Sequence, residues 1–202
     1  MGKNIYFDKE RITKKWGDTM CRKLRELNGL SAEELLKKVG QFGIVPIDIA
    51  QICYDLGIHV KMTDFSAIEQ KIYEITKEKR EILGAVLAKD NDLAILYRNN
   101  TVNRKRFTLA HELAHCCLHI EPQRKLHLEF RTDGVSSDIK EIEANKFAGE
   151  LLIPESSLKE VIDFSFDIEE SKINFLAQLF VVSENVMKAR LKELNISIIN
   201  RE

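Results

Sequence analysis

The stretch that most constrains this chain is Arg106–His115, which contains a His-Glu-x-x-His motif near the middle of the sequence. In an α-helix, residues four positions apart lie on the same face, so His111 and His115 can direct two imidazoles at one metal ion. Glu112 lies beside them and can take a proton from a water molecule. Two nitrogen ligands and a carboxylate base are typical of zinc hydrolases. A motif this short also arises by chance, so the prediction of a metal site depends on finding a third ligand.

The composition is that of a globular protein, with 44% apolar and 31% charged residues among 202. The net charge is −1, so no overall attraction to nucleic acid or to an anionic membrane is expected. No apolar run approaches the roughly 18 residues of a membrane-spanning helix. The N-terminal residues Met1–Asn4 do not introduce the apolar core of a signal peptide. We therefore expect a cytoplasmic protein of one domain, or one domain with an appendage.

The cysteines do not suggest a disulfide framework or a cysteine metal site. The four cysteines are Cys21, Cys53, Cys116 and Cys117, and none of them belongs to a Cys-x-x-Cys pair. We expect reduced thiols in the core or on the surface. On a helical wheel, Cys116 and Cys117 point away from the two motif histidines, so they are not expected to bind the metal.

Residues 1–43 are predicted to be a helical extension. Apolar residues recur at three- and four-residue steps over Lys9–Asn28, which favours one helix. Ser31 and Glu34 have the spacing of a capping box for a second helix that ends near Gly40. The basic residues of this region are interpreted as a solvated helix face, and a nucleic-acid-binding patch is the alternative.

A short helix and a strand are predicted next. Pro46 and Asp48 fit the first turn of the helix, and Gly57 fits its exit. Ile58–Met62 alternates in the manner of a strand, and His59 is interpreted as a solvent-facing residue of that strand rather than a metal ligand.

Residues 84–88 and 93–97 are predicted to form a β-hairpin immediately before the motif. A strand beside a metal-site helix offers an edge on which an extended peptide can pair. The motif helix is expected to continue to about His119, and residues 121–135, which include His127, are interpreted as a loop.

The helix predicted after Asp138 contains the candidate third ligand. On a helical wheel, Glu141 falls in a stripe of small and apolar residues, whereas Glu143 falls among charged residues. A carboxylate that faces the core is costly unless it is paired or binds a metal. We therefore prefer Glu141 over Glu143 as the third ligand, with a capping role at the helix start as the alternative. Asn145, one turn further on, is placed to hydrogen-bond a metal ligand.

The segments Arg106–His115 and Glu141–Pro154 together resemble the ImmA/IrrE family of zinc metallopeptidases. Pro46–Ala50 is also similar to the part of that family that precedes the motif. The resemblance covers approximately residues 44–195. One departure is Ala114, where the family more often has glycine, and alanine suits a helix interior at least as well.

The resemblance implies one zinc ion held by His111, His115 and Glu141, with Glu112 as the catalytic glutamate. It also implies a protein substrate, namely a helix-turn-helix transcriptional repressor of a mobile element, phage or stress regulon, whose cleavage relieves repression. Such a repressor is expected to be encoded nearby. The oxyanion-stabilising group is not identified, and its candidates are Tyr97, His119 and His127.

Residues 171–202 are predicted to form a helix-turn-helix-like pair, with Ser183 as the N-cap of its second helix. The apolar spacing resembles that of DNA-binding motifs. The basic residues of the second helix are Lys188, Arg190 and Lys192, and glutamates accompany them. Binding to DNA phosphates usually requires more positive charge. We therefore favour a pair that packs on the core over one that binds DNA directly.

These observations predict an α+β fold, with a zincin-like metallopeptidase core and a small antiparallel sheet over residues 44–170. The helical extension (1–43) precedes this core, and the C-terminal pair (171–202) packs on it. The expected function is a zinc-dependent endopeptidase that cleaves a helix-turn-helix repressor, with no membrane partner. The alternative is a non-proteolytic regulator that binds DNA or sequesters a repressor and whose metal site is structural.

Overall fold

A computed structural model describes residues 22–89, 92–119, 126–130 and 138–200 of the chain. Within these residues, no helix combines the length and apolar character needed to cross a membrane. Of the helix predicted over Lys9–Asn28, the described part is α1 (Arg22–Leu27), and the rest lies outside the described residues.

The second helix, α2 (Ala32–Lys38), begins with the predicted capping box. Ser31 Oγ accepts a hydrogen bond from the Glu34 backbone N–H at 3.3 Å, and the Glu34 carboxylate accepts one from the Ser31 N–H at 2.8 Å. Leu35 and Leu36 of α2 are buried in the main core, as are the two leucines of α1. Described residues of the predicted extension therefore share one hydrophobic core with the rest of the chain.

Helix α3 (Ile49–Asp55) leads into the first strand. Its N-cap is Asp48, whose side chain accepts a hydrogen bond from the Gln51 N–H at 3.0 Å. Because Asp48 has an extended backbone, the helix begins after it, and Pro46 precedes the helix instead of lying in its first turn. The chain leaves α3 through Gly57, in the left-handed region at φ +64°, and enters β1 (Ile58–Met62).

After β1 the chain forms α4 (Ser66–Thr76) and the strands β2 (Ile82–Lys89), β3 (Asp92–Tyr97) and β4 (Leu126–Phe130). Among the described residues, the central sheet has four strands in the order β1-β3-β2-β4. Strands β2 and β3 are antiparallel, as the hairpin prediction required, with Val86 opposite Ile95. Strand β1 pairs with β3 in parallel, with Val60 opposite Ile95. The predicted antiparallel sheet is therefore wrong, and the sheet is mixed, because β3 pairs in parallel with β1 and antiparallel with β2.

Strand β4 corrects the loop interpretation of residues 121–135. Its residues pair antiparallel with β2, and His127 lies opposite Val86. The remaining residues of the predicted loop lie outside the described part of the chain. Because β2 and β3 are both flanked on two sides, the hairpin does not provide the free edge that was predicted. The edges of the sheet are β1 and β4.

Two helices carry the motifs, and the first of them packs on this sheet. Helix α5 (Val102–Leu118) contacts β2 and β3, and α6 (Ile139–Leu152) packs along α5. Leu109 and Leu113 of α5 belong to the main core together with residues of β2 and β3. A smaller apolar cluster contains Phe65, Ile82 and Ala85, against which Ile72 of α4 packs. Packing on the sheet thus buries the middle turns of α5 inside the protein.

The C-terminal region forms a helical pair between two short strands. After α7 (Glu155–Lys159), its elements are β5 (Ile168–Glu169), a single 3₁₀ turn (Glu170–Lys172), α8 (Ile173–Phe180), α9 (Glu184–Glu193) and β6 (Ile198–Ile199). Strands β5 and β6 pair in parallel. Ser183 is the N-cap of α9, as predicted, and its Oγ accepts from the Val186 N–H at 3.3 Å.

The helical pair is hydrogen-bonded to the core at both ends of α9. The Arg106 guanidinium of α5 donates to the carbonyls of Val181 (3.0 Å) and Phe180 (3.3 Å), which end α8. Asn103 Nδ2 donates to the Val182 carbonyl at 2.9 Å. Arg190 is buried and donates from Nε to the Ile153 carbonyl at 3.1 Å. These contacts fix α9 against α5 and α6.

Candidate metal centre

Helix α5 brings His111, Glu112 and His115 into the interior. Thr101 caps the helix, and its Oγ1 accepts a hydrogen bond from the Arg104 N–H at 3.4 Å. His111 is 1% exposed, and Glu112 and His115 are each 0% exposed. Three polar side chains buried together require partners, because an unsatisfied polar group in the interior costs free energy.

Helix α6 supplies the carboxylate that faces these histidines. Asp138 caps the helix by accepting from the Lys140 N–H at 2.9 Å. The Glu141 carboxylate turns towards α5, with Oε2 3.2 Å from His111 Nε2 and Oε1 3.4 Å from His115 Nε2. The structure thus brings together the three residues that the sequence singled out as ligands, and Glu143 is not among them.

The three donor atoms are spaced as a small cation requires. The two histidine Nε2 atoms lie 2.9 Å apart, and all three donor atoms lie within 4.8 Å of one another. Tetrahedral zinc with ligands at about 2.0–2.1 Å would separate neighbouring ligand atoms by about 3.3 Å. Imidazole nitrogens and a carboxylate oxygen are a ligand set that suits zinc. The residues present therefore fit a zinc ion.

The electrostatics of the cluster favour ligand forms that bind metal. The neighbouring His111 and His115 side chains hold the pKa of the Glu141 carboxyl well below its usual range. Burial lowers the pKa of His115, although the neighbouring Glu141 acts in the opposite direction. An ionised carboxylate and a neutral imidazole are the forms that coordinate a cation.

The outward nitrogens of both histidines are also engaged. His111 Nδ1 lies 3.0 Å from Asn145 Oδ1, which agrees with the predicted position of Asn145 one turn after Glu141. Since an amide oxygen only accepts, this contact places a proton on Nδ1, so Nε2 of His111 is the nitrogen that would coordinate a bound ion.

His115 is supported by a different pair of residues. His119, the C-cap residue of α5, places Nδ1 3.1 Å from His115 Nδ1 and Nε2 2.8 Å from the Glu143 carboxylate. Glu143, the rival candidate for the third ligand, thus contacts the metal-site helix one turn further along. The helical spacing of His119 from His115 is visible in the sequence, but its pairing with Glu143 requires the packing of α6 on α5.

Glu112 packs against strand β2 at a glycine that sequence reasoning missed. A Cβ placed on Gly84 would lie 2.3 Å from Glu112 Oε1 and 2.9 Å from Thr108 Cγ2. No side chain fits there without displacement, so Gly84 allows the close approach of Glu112 to the sheet. The sequence contains no local signal for this role, because it depends on where α5 crosses β2.

The other histidines, the tyrosine and the cysteines that the sequence analysis weighed for the site are not part of the donor cluster. His59 is an exposed residue of β1, as predicted. Tyr97 ends β3, and the Lys105 ammonium lies 4.8 Å from the centre of its ring. His127 contributes its backbone to β4. Cys116 and Cys117 are buried and lie outside the donor cluster.

Comparison with known proteins agrees with this arrangement. No curated protein matches the chain. The family model Peptidase_M78, described as the IrrE N-terminal-like domain, matches residues 53–192. The match spans most of the chain and includes both metal-site helices, α8 and all but the last residue of α9. The chain therefore belongs to the ImmA/IrrE family of metallopeptidases.

Proposed function

We propose that this protein is a zinc-dependent endopeptidase that cleaves a helix-turn-helix transcriptional repressor. The observation that carries the proposal is the convergence of His111, His115 and Glu141 beside Glu112 of the same helix. Membership of a metallopeptidase family gives this geometry a chemical context. The proposed site residues are therefore His111, His115 and Glu141 as ligands and Glu112 as the catalytic residue.

The metal and the glutamate have separate tasks in this proposal. When bound, a zinc ion lowers the pKa of a water molecule towards neutrality and polarises a peptide carbonyl. The Glu112 carboxylate accepts the proton of the attacking water and transfers it to the leaving amine. Asn145 orients the His111 ring through its contact with Nδ1. Burial of Glu112 strengthens these interactions because the surroundings have a low dielectric.

The proposal extends to the substrate and to the division of the chain into domains. A repressor encoded nearby is the proposed substrate, and its cleavage would relieve repression in the cytoplasm. We propose residues 44–170 as the peptidase core, with 1–43 as an N-terminal extension and 171–202 as a pair packed on the core. The contacts of Arg106 and Asn103 with the end of α8 support the last assignment.

The decisive experiment incubates the zinc-loaded protein with a helix-turn-helix repressor from a neighbouring gene. The wild-type protein should cleave it, a chelator should stop the reaction, and added zinc should restore it. Glu112→Gln should keep the zinc and lower the rate by at least about 10²-fold, since the general base is lost. An intact repressor in every sample, despite one bound zinc per chain, would exclude this substrate.

The alternative is a regulator that binds DNA or sequesters a repressor without cutting it. In that case, Glu112→Gln and the wild-type protein would have equal effects on transcription. A mobility shift on promoter DNA and co-purification with intact repressor test the two forms of this alternative. The burial of Glu112 next to the ligand cluster favours the peptidase, because a structural metal site has no use for a carboxylate there.

A further inference from the structure

A large cleft beside the metal centre is lined by residues of α5, α6 and α9. Its volume is about 1260 Å³, and its lining includes Phe107, Ile142 and Asn145 on the metal side. The Phe107 ring lies 6.3 Å from the His111 ring, and Asn145 contacts His111 directly. The cleft therefore adjoins the His111 side of the proposed catalytic site through Phe107 and Asn145, and it is larger than the roughly 300–1,000 Å³ of typical small-ligand pockets.

The far wall of the cleft is helix α9, the second helix of the C-terminal pair. Asn185, Val186, Ala189 and Glu193 of α9 line it. The opposite face of α9 is in the core, where Met187 and Leu191 are fully buried. Helix α9 therefore buries one face in the core and presents to the cleft a face that is exposed at Ala189 and half-buried at Val186.

Helix α9 is poorly placed to read DNA. In a helix-turn-helix protein, the N-terminal residues of the second helix contact base edges. Here the residues just before α9 are bound to α5, where Asn103 donates to the Val182 carbonyl. Two of the three basic residues of α9 are already in ion pairs, since Lys188 contacts Glu170 and Arg190 contacts Glu193. Little positive charge remains for phosphates.

The lining of the cleft is suited to a polypeptide segment with an apolar side chain. Phe107, Ile142, Val186 and Ala189 provide an apolar surface, and Ile142 is 47% exposed although it borders the metal-site glutamate. Asparagine amides at the same cleft can hydrogen-bond a peptide backbone. Acidic and basic side chains both line it, so no single charge dominates.

We propose that this cleft holds an extended segment of the protein substrate, and that Val186 and Ala189 of α9 select a large apolar side chain near the cleaved bond. The C-terminal pair is then a substrate-reading element and not a DNA-binding one. The inference rests on the proposed peptidase function, because the segment has to reach the metal centre.

The test uses the zinc-loaded full-length chain and a random-sequence mixture of synthetic peptides, whose cleavage sites are read by mass spectrometry. Ala189→Phe should fill the pocket and lower kcat/KM at least about tenfold for peptides with a large apolar residue at the cut, with a smaller effect on small residues. Lys192→Phe is the matched control, since it adds the same side chain to α9 outside the cleft lining and should leave the rate unchanged. Zinc content should be equal in all three proteins.

A second measurement does not depend on turnover. p-Benzoylphenylalanine replaces Ala189 or Lys192 in the Glu112→Gln protein, which is irradiated with the same peptides or with random-sequence duplex DNA. Peptide should cross-link at position 189, which is exposed and therefore tolerant of substitution, and not at 192. Equal cross-linking at both positions, or cleavage by Ala189→Phe with wild-type rate and preference, would overturn the proposal.

The two proposals fail in distinguishable ways. Cross-linking of peptide at 189 without cleavage by the wild-type protein would retain the cleft and reject the peptidase function. Absence of both would reject the cleft as well. Cross-linking of DNA in place of peptide at 189 would replace the substrate-reading role with DNA recognition.

Discussion

His119 Nδ1 lies 3.1 Å from His115 Nδ1, and the other ring nitrogen of His119 lies 2.8 Å from the Glu143 carboxylate. One assignment of protons satisfies the whole series. His115 donates from Nδ1, His119 accepts there and donates from Nε2, and Glu143 accepts. This assignment leaves Nε2 of His115 without a proton and directed at the metal centre. His119 and Glu143 therefore orient His115, a proposed ligand, and lie outside the donor cluster themselves.

Removing this support should weaken metal binding without abolishing it. We expect His119→Ala to lower zinc affinity by about 10–100-fold, the range typical of residues that orient a ligand. Glu143→Gln should have a smaller effect, because the Glu143 side chain is 55% exposed and water can replace it. Competition with a chromogenic chelator measures both affinities. Glu150→Gln is the control on the same helix, and an affinity of His119→Ala equal to that of the control would contradict the assignment.

Substitution of the two glutamates near the start of α6 should affect zinc binding differently. Glu141→Ala removes the carboxylate that contacts both histidines, so we expect a greater loss of zinc affinity than for His119→Ala. Glu143→Ala should still bind one zinc ion per chain. Metal analysis after dialysis against buffered zinc distinguishes them. Loss of zinc from Glu143→Ala alone would show that the ligand is misassigned.

Gly84→Ala should separate metal binding from catalysis. The added methyl group would meet Glu112 Oε1 at 2.3 Å, so either the carboxylate or strand β2 must move. We expect a stability loss of about 1–3 kcal/mol, as for other overpacked sites. A displacement of about 1 Å can reduce activity by about 10²-fold. Zinc content reports on the ligands independently, and full activity of the Gly84→Ala protein would mean that Glu112 has room to adjust.

Arg106 should matter for the stability of the docked C-terminal pair. Its guanidinium donates to the carbonyls of Phe180 and Val181. Arg106→Ala should lower the free energy of unfolding by about 2–3 kcal/mol, since charged hydrogen bonds are lost and the carbonyls remain. Arg106→Lys keeps the charge but not the planar fork, so an intermediate value is expected. Urea denaturation gives the values, and equal midpoints for all three proteins would count against a docking role.

The thiols of the core should report on unfolding. Burial raises the pKa of Cys53 and of Cys117 to about 12, so only about 10⁻⁴ of each is thiolate at pH 8. In a Cys21→Ser background, we expect Ellman's reagent to react with them only when the chain opens. The same protein in urea gives the full thiol count as a control. Rapid reaction of either thiol in the native protein would indicate that its surroundings are open.

The sequence allowed the cluster of His111, His115 and Glu141 to be predicted because each part of the signal is local. His111 and His115 are one helical turn apart, and the inward position of Glu141 follows from the periodicity of α6. The asparagine that contacts His111 follows from the same periodicity. In each case, only the geometry of a single helix is needed.

The features that were missed depend on contacts between distant segments. The parallel pairing of β1 with β3 cannot be inferred from either strand alone. Strand β4 has an alternating pattern, Leu126-His-Leu-Glu-Phe130, but it lies within a polar stretch, and pairing with β2 is what fixes it. Likewise, the need for glycine at position 84 arises only where α5 crosses β2. Helix α4 was not predicted either, but for a different reason. Its isoleucines recur at helical spacing, so a local signal was present in the sequence.

The donor cluster joins two helices that are distant along the chain, since His115 belongs to α5 and Glu141 to α6. A bound ion would close the intervening segment into a loop, which favours the folded chain over the unfolded one. We expect a chelator to increase the rate at which trypsin degrades the protein, and equal rates with and without zinc would argue against this link. Under the proposed zinc assignment, supply of the metal would then set the lifetime of the protein in the cell as well as its activity, so that starvation for the metal would remove the protein itself.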